Sequence, residues 1–274
     1  MSLLTTLYKQ PAAAGGSGYP LLPYITAPAT VFDGIASTVY EDSALTTPVG
    51  WGGAQPLGGV DNILGAQGVS LIQTTSNVRP YVTSDNYSDP TAVKWFEDGS
   101  LSTFRHLSSQ LNLPAGAFTL ACVFMRRAPW SGGGQEPSLA GAHLSWDSDA
   151  FWCRFSSNNA DAGNMQIDID GSWIMNAGPL PANYTSKAAF ILRRDGSNNV
   201  TAYTKSDATA ALPWASTATD NKAGGVATPV KTCLDFYGDR SKKAFWFFMQ
   251  DNISDAGLVV LQQRMKDIAT AWVG

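Results

Sequence analysis

The chain has 274 residues, a net charge of −4 at neutral pH, and charged side chains at only 15% of its positions. That length can bury a large core. Lys and Arg never cluster beyond a pair, so the basic footprint of non-specific nucleic-acid binding is absent from the sequence. No run of ~18 apolar residues marks a membrane-spanning helix.

The 26 glycines and 15 prolines are scattered without a collagen-like period, and Ser and Thr fill most polar positions. The glutamates are Glu41, Glu97 and Glu136 alone, too few for extensive helix. This is the composition of an all-β protein with many turns. In chain order, Met1–Thr6 lacks a basic n-region and an apolar h-region, so no signal peptide is expected. Residues 1–38 differ from the rest. Gln10–Gly18 reads as a linker, and Tyr19-Pro20-Leu21-Leu22-Pro23-Tyr24 is apolar but broken by prolines. Such a segment needs a surface to hold it, either its own domain or a neighbouring subunit. Docking on a neighbour is the expectation, because Pro-fixed φ angles lose less entropy on binding. Leu3, Leu4, Tyr8, Tyr19, Leu21, Leu22 and Tyr24 would be the anchors of this extended N-terminal arm. Residues 39–274 form the second unit.

Past the arm, Thr46-Thr47-Pro48-Val49 leads to Gln55-Pro56-Leu57-Gly58, then Asp61, then Arg79-Pro80, then Val93–Gly99. Phe118–Met125 reads as a long buried strand. Shorter strands are expected at Ser138–Trp146, Phe151–Phe155, Met165–Ile169, Ser172–Met175, Ala188–Arg193 and Asn199–Thr204. Asp170-Gly171 and Asp195-Gly196-Ser197-Asn198 supply turn chemistry between them. Thr204–Val230 reads as a broad loop. Leu234–Tyr237 and Ala244–Met249 read as hairpin strands around Gly238–Lys243, the second buried on both faces. Then comes the one strong helical period. Ser254 fits an N-cap, Asp255 places negative charge in the first turn, and Ile253 with Leu258 fits a hydrophobic staple. Leu258, Leu261, Met265, Ile268 and Trp272 share one face.

The order of these motifs resembles phage virion proteins with a concanavalin-A-like, laminin-G-like jelly roll. Thr-Thr-Pro-Val, Gln-Pro-Leu-Gly, Asp61, Arg79-Pro80 and the helix start Ile253-Ser254-Asp255-Ala256 carry the likeness. The chain departs from that pattern at Asp61-Asn62-Ile63-Leu64, where the family has a Gly-Asn-rich turn. The resemblance implies a jelly-roll β-sandwich with one C-terminal helix. It also implies a virion location, as a non-enzymatic head-decoration, head-fibre or tail-associated component, with other capsid or tail subunits as partners. A homo-oligomer, by analogy a trimer, goes with it. The alternative is a receptor-binding tail module that holds a host surface glycan.

Candidate chemistry is sparse. The Glu-x-Asp-x-x-Glu run that concanavalin-A-like hydrolases carry is missing. Asp147-Ser148-Asp149 and Asp168-Ile169-Asp170 are the close acidic pairs, and Asp170 beside Gly171 reads as a turn residue. No Gly-x-Ser-x-Gly elbow accompanies His106 or His143. Cys122, Cys153 and Cys233 have no metal spacing and read as reduced core residues. No cofactor, catalytic residue or metal ligand is expected, although loop aspartates leave a structural Ca²⁺ open. Of the nine tryptophans, Trp95, Trp152, Trp246 and Trp272 lie in patterned runs and read as core. Trp51, Trp130 and Trp214 sit beside Gly or Pro. Each would stack on a sugar, anchor an interface, or cap local packing.

Overall fold

The computed structural model describes residues 18–50, 54–86, 89, 91–97, 105–126, 138–143, 149–155, 164–169, 172–179, 186–232 and 241–273, those from 126 to 179 by backbone alone. In chain order the strands are β1 (Ala29–Asp33), β2 (Val39–Tyr40), β3 (Gln55–Pro56), β4 (Gly59–Val60), β5 (Leu71–Ile72), β6 (Tyr81–Ser84), β7 (Lys94–Glu97), β8 (Ser108–Asn112) and β9 (Phe118–Arg126). There follow β10 (Ser138–His143), β11 (Asp149–Phe155), β12 (Asn164–Ile169), β13 (Ser172–Pro179), β14 (Lys187–Arg194), β15 (Asn199–Lys205), β16 (Ala218–Asn221), β17 (Pro229–Lys231) and β18 (Ser241–Met249). Among the described residues there is one α-helix, α1 (Asp255–Ala271), which follows β18.

The described strands make two nine-stranded sheets. The first runs β16-β15-β14-β9-β18-β7-β6-β3, with β1 also on β18. The second runs β13-β12-β11-β10-β17-β8-β5-β4-β2. Every ladder between named strands is antiparallel. The chain is therefore an all-β sandwich with a C-terminal helix, as expected.

Alternation in the central strands explains the layers. Trp246 and Phe248 of β18, Leu120, Cys122 and Phe124 of β9, and Phe190 and Leu192 of β14 fill the space between the sheets. Phe32 and Phe96 meet there edge-on, with ring centroids 5.0 Å apart. Phe245, Phe247, Met249, Val123 and Ile191 face the other way, onto Leu258, Leu261, Met265, Ile268 and Trp272 of α1. A strand buried on both faces reads as a continuous apolar run, as Ala244–Met249 does. The helix closes as its sequence predicts: Ser254 Oγ accepts the Gly257 N–H at 3.2 Å.

Two expectations change. The described part of the supposed arm, residues 18–38, is built into the sandwich of its own chain. β1 pairs with β18 from Ala29↔Met249 to Asp33↔Phe245, and Leu21 is fully buried under the helix layer. The segment before β1 forms a strap, whose short turn Leu22–Tyr24 crosses the start of α1. A Cβ on Gly257 would lie 2.9 Å from Tyr24 Cβ, so glycine lets the strap seat there. Leu3, Leu4 and Tyr8 lie outside the described residues. The broad loop expected over Thr204–Val230 also carries two short strands, β16 and β17, one at the edge of the first sheet and one inside the second. Leu234–Tyr237 lies outside the described residues.

Candidate functional site

The first sheet has its outer face covered by α1 and the strap. The second sheet turns its inner face to the core through Val39, Val60, Leu71, Leu107 and Val230. Its outer face is read from the partners of those residues. On β8, Gln110 and Asn112 are exposed and Ser108 partly so, whereas Ser109 is buried. On β17, Val230 is in the core and Lys231 is partly exposed on the other side. Lys231 makes no hydrogen bond or ion pair among the described residues, and partial burial holds its ammonium below the usual lysine range.

Directly opposed residues of neighbouring strands share a face. From Lys231 the ladder continues to Gly141, Trp152, Asp168 and Trp173. In the other direction it continues to Ser108, Ile72, Gly59 and Tyr40. One register line thus crosses all nine strands. A second line on the same face joins Ser138, Arg154, Gln166 and Asn176. The line between them belongs to the core face and reads Ala140, Cys153, Ile167 and Met175. A register shift between Ile167 and Asp168 brings Trp173 opposite Asp168. Trp152, Arg154, Gln166, Asp168, Trp173 and Asn176 therefore hold the register positions of that face across β11, β12 and β13. At the far end the Asp42–Thr47 turn covers Gly59, whose added Cβ would run into the Leu45 side chain.

Trp152, expected in the core, stands on the register line of Lys231. Trp246 and Trp272 are fully buried as expected, and Trp95 is partly buried with Lys242 Nζ 4.3 Å from its ring centroid. Of its three readings, Trp214 takes the packing cap, and it offers no contact surface. It is 2% exposed and packs with the helix layer, and its backbone N–H and carbonyl pair with the Gln262 side chain at 3.0 and 3.2 Å. Trp51 and Trp130 lie outside the described residues, as do Asp147 and Asp170. Cys122 is a free, buried thiol. Among the described residues no group of His, Cys, Asp and Glu could hold a metal ion.

A second polar cluster is buried instead of open. Asp33 accepts Arg264 Nε at 2.6 Å and a second guanidinium nitrogen at 2.8 Å. It also accepts the Tyr19 hydroxyl at 2.8 Å and the Ile35 and Ala36 N–H groups at 3.0 and 2.9 Å. Burial alone would raise the Asp33 carboxyl, but the Arg264 charge and these donors outweigh it and hold it below the usual range. The same burial, then the Asp33 charge, raises the Tyr19 hydroxyl well above its ordinary value. Nearby, burial lowers Lys94 against the opposing pull of Asp33 and Asp61, and burial raises Asp61. With its donors all supplied from within the chain, this cluster fastens the strap to α1.

The motifs that carry the family resemblance serve folding. Asp42 accepts the Thr47 N–H at 2.6 Å and the Thr46 N–H at 3.2 Å. These bonds overcome a desolvation that would raise it, and bring its carboxyl down to about 2. Asp61 accepts the Thr38 N–H at 2.9 Å, and Arg79 donates to the Glu41 and Gln73 carbonyls at 2.8 and 3.2 Å.

No family model matches the sequence, and no curated protein matches it. Solved structures do match the fold. A mutant GH54 α-L-arabinofuranosidase, soaked with a 4-nitrophenyl arabinofuranoside, aligns with a TM-score of 0.52 at 10% identity, over 78% of this chain and 51% of that one. The chain thus spans about half the length of that enzyme. A Trypanosoma rangeli sialidase aligns at a TM-score of 0.45 and 10% identity, over 86% and 33%. Botulinum neurotoxin type C, whose cell entry depends on two ganglioside molecules, aligns at 0.46 and 8%, over 71% and 48%. The last two likenesses carry no argument about this chain, and the first shows the fold alone. It does overturn one expectation. The sandwich that was expected to be non-enzymatic is a fold that a glycosidase uses, so a missing Glu-x-Asp-x-x-Glu run does not exclude catalysis.

Proposed function

We propose that this protein binds carbohydrate on the outer face of its second sheet. The observation that carries the reading is the Trp152–Asp168–Trp173 line across β11, β12 and β13. A solvated sheet face needs only polar residues in alternation with apolar ones. Two tryptophans on that face, one strand to each side of an aspartate, go beyond that need. Neighbouring strands lie about 4.8 Å apart, so the two tryptophan strands are about 10 Å apart. That spacing suits a sugar unit, whose apolar ring face meets indole while its hydroxyls meet carboxylate and carboxamide. Gln166 and Asn176 extend the hydrogen-bonding set along the same face. The fold shared with an arabinofuranosidase is consistent with this placement and adds no specificity.

Glycan-array screening of the full chain, followed by calorimetry on the best oligosaccharide, tests the proposal. Trp152→Ala and Trp173→Ala should each lower affinity by roughly 5- to 100-fold, with the fold unchanged by circular dichroism. Asp168→Asn should weaken binding with the same ligand preference. Wild-type affinity in both tryptophan variants would refute the site.

A further inference from the structure

We infer that the sugar held on this face is anionic, and that Lys231 takes its acid group while the ring lies over Gly141. The inference rests on the carbohydrate reading above and names the ligand class. Three observations carry it.

Lys231 stands next to Gly141 in the register line, and Gly141 stands next to Trp152. Glycine has no side chain, so on this register line β10 places none between the positions of Lys231 and Trp152. The two flanking strands are about 10 Å apart, wide enough for one pyranose ring. Lys231 is also partly withdrawn from water with neither ion pair nor hydrogen bond among the described residues. A cation in that state is incompletely solvated, and an incoming anion restores what burial removed. Finally, the acid on the line is not its partner. Asp168 is three strands from Lys231. That is about 14 Å, beyond the ~8 Å screening length of physiological salt. Asp168 therefore neither neutralises Lys231 nor strongly repels an anion beside it. Arg154 holds a register position of the same face, two residues along β11 from Trp152.

A carboxylate and a sulfate satisfy this chemistry equally, and the test separates them. The full chain is titrated with a short oligouronide, with its carboxyl-reduced neutral counterpart, and with a sulfated oligosaccharide of similar length. The wild-type protein should prefer an acidic ligand over the neutral one by roughly 10- to 100-fold, the worth of one charge-assisted hydrogen bond. Raised salt should erode that preference. Lys231→Met should collapse the acidic-to-neutral ratio towards one, and Lys231→Arg should keep it. If the sulfated ligand shares the preference, the site reads charge; if only the uronide does, it reads carboxylate geometry. Equal wild-type affinity for acidic and neutral ligands, or an unchanged ratio in Lys231→Met, overturns this inference and leaves the carbohydrate reading standing. Failure of every ligand to bind overturns both.

Discussion

Asp33 shows how a single carboxylate can organise one side of a protein. It is fully buried and tied to a guanidinium from α1, a phenol from the strap, and two backbone N–H groups from its own turn. Removing Arg264 leaves a buried charge without its counter-ion. Arg264→Ala should therefore cost about 3–5 kcal/mol in urea unfolding. The pH dependence has a definite sign. Because the folded Asp33 carboxyl sits below its unfolded value, its contribution is complete above about pH 5 and disappears as pH falls through the folded value. Asp61 works in the opposite sense. Its folded value is raised, so its ionised form opposes folding at neutral pH, and protonation relieves that cost. Urea midpoints measured from pH 7 to pH 2 should fall steeply below about pH 4 in the wild type. Asp33→Asn should flatten that fall while lowering the plateau. A wild-type profile with no acid fall would contradict this account.

At the scale of elements, α1 is fully legible in the sequence. Its cap, its acidic first turn and its five-residue apolar face all sit where period and capping rules put them. Ser254→Ala should cost about 1 kcal/mol by thermal unfolding, the usual worth of an N-cap. Gly257 tests the strap. Gly257→Val pushes a side chain into Tyr24 and Ile253, so overpacking of about 1–3 kcal/mol is expected. Proteolysis near residues 18–25 should rise with it. The strands β9 to β15 are legible within a residue or two where they are described, because alternation and turn residues bracket them; β13 runs on to Pro179, past the expected end at Met175, and residues 144–146 of the strand expected over Ser138–Trp146 lie outside the described residues. β1 is not. Its apolar Ala29–Phe32 follows a proline-broken segment, and its partner lies at the far end of the chain, so nothing local identifies it as sheet. β17 is three residues long, too short to show a period. The candidate face is hidden for a related reason. Trp152 sits among apolar neighbours on its own strand, and only the ladder, with its shift at Ile167 and Asp168, shows which neighbours share its face.

Across the whole molecule, the same two-sheet stack serves proteins of unlike activity, so fold alone does not decide function. The likeness to solved structures bears on architecture and leaves the virion expectation resting on the motif order from Thr46 to Pro80 and the helix start at Ile253–Ala256. Those motifs are spent on turns and clamps inside the sandwich, as Asp42, Asp61 and Arg79 show. The candidate sugar face is instead built from β10 to β13 and β17, strands on which the resemblance is silent.

The strap has a consequence for orientation. It is pinned to the helix layer by Tyr19 and Leu21, on the side of the first sheet away from the second. Two layer spacings of about 10 Å each separate that layer from the second sheet. Gly18, exposed at the start of the strap, therefore stands on the face of the first sheet turned away from the second. Coupling the protein to a sensor surface through a cysteine placed at Gly18 should leave ligand capacity intact, while coupling through one placed at Gln110 should block it.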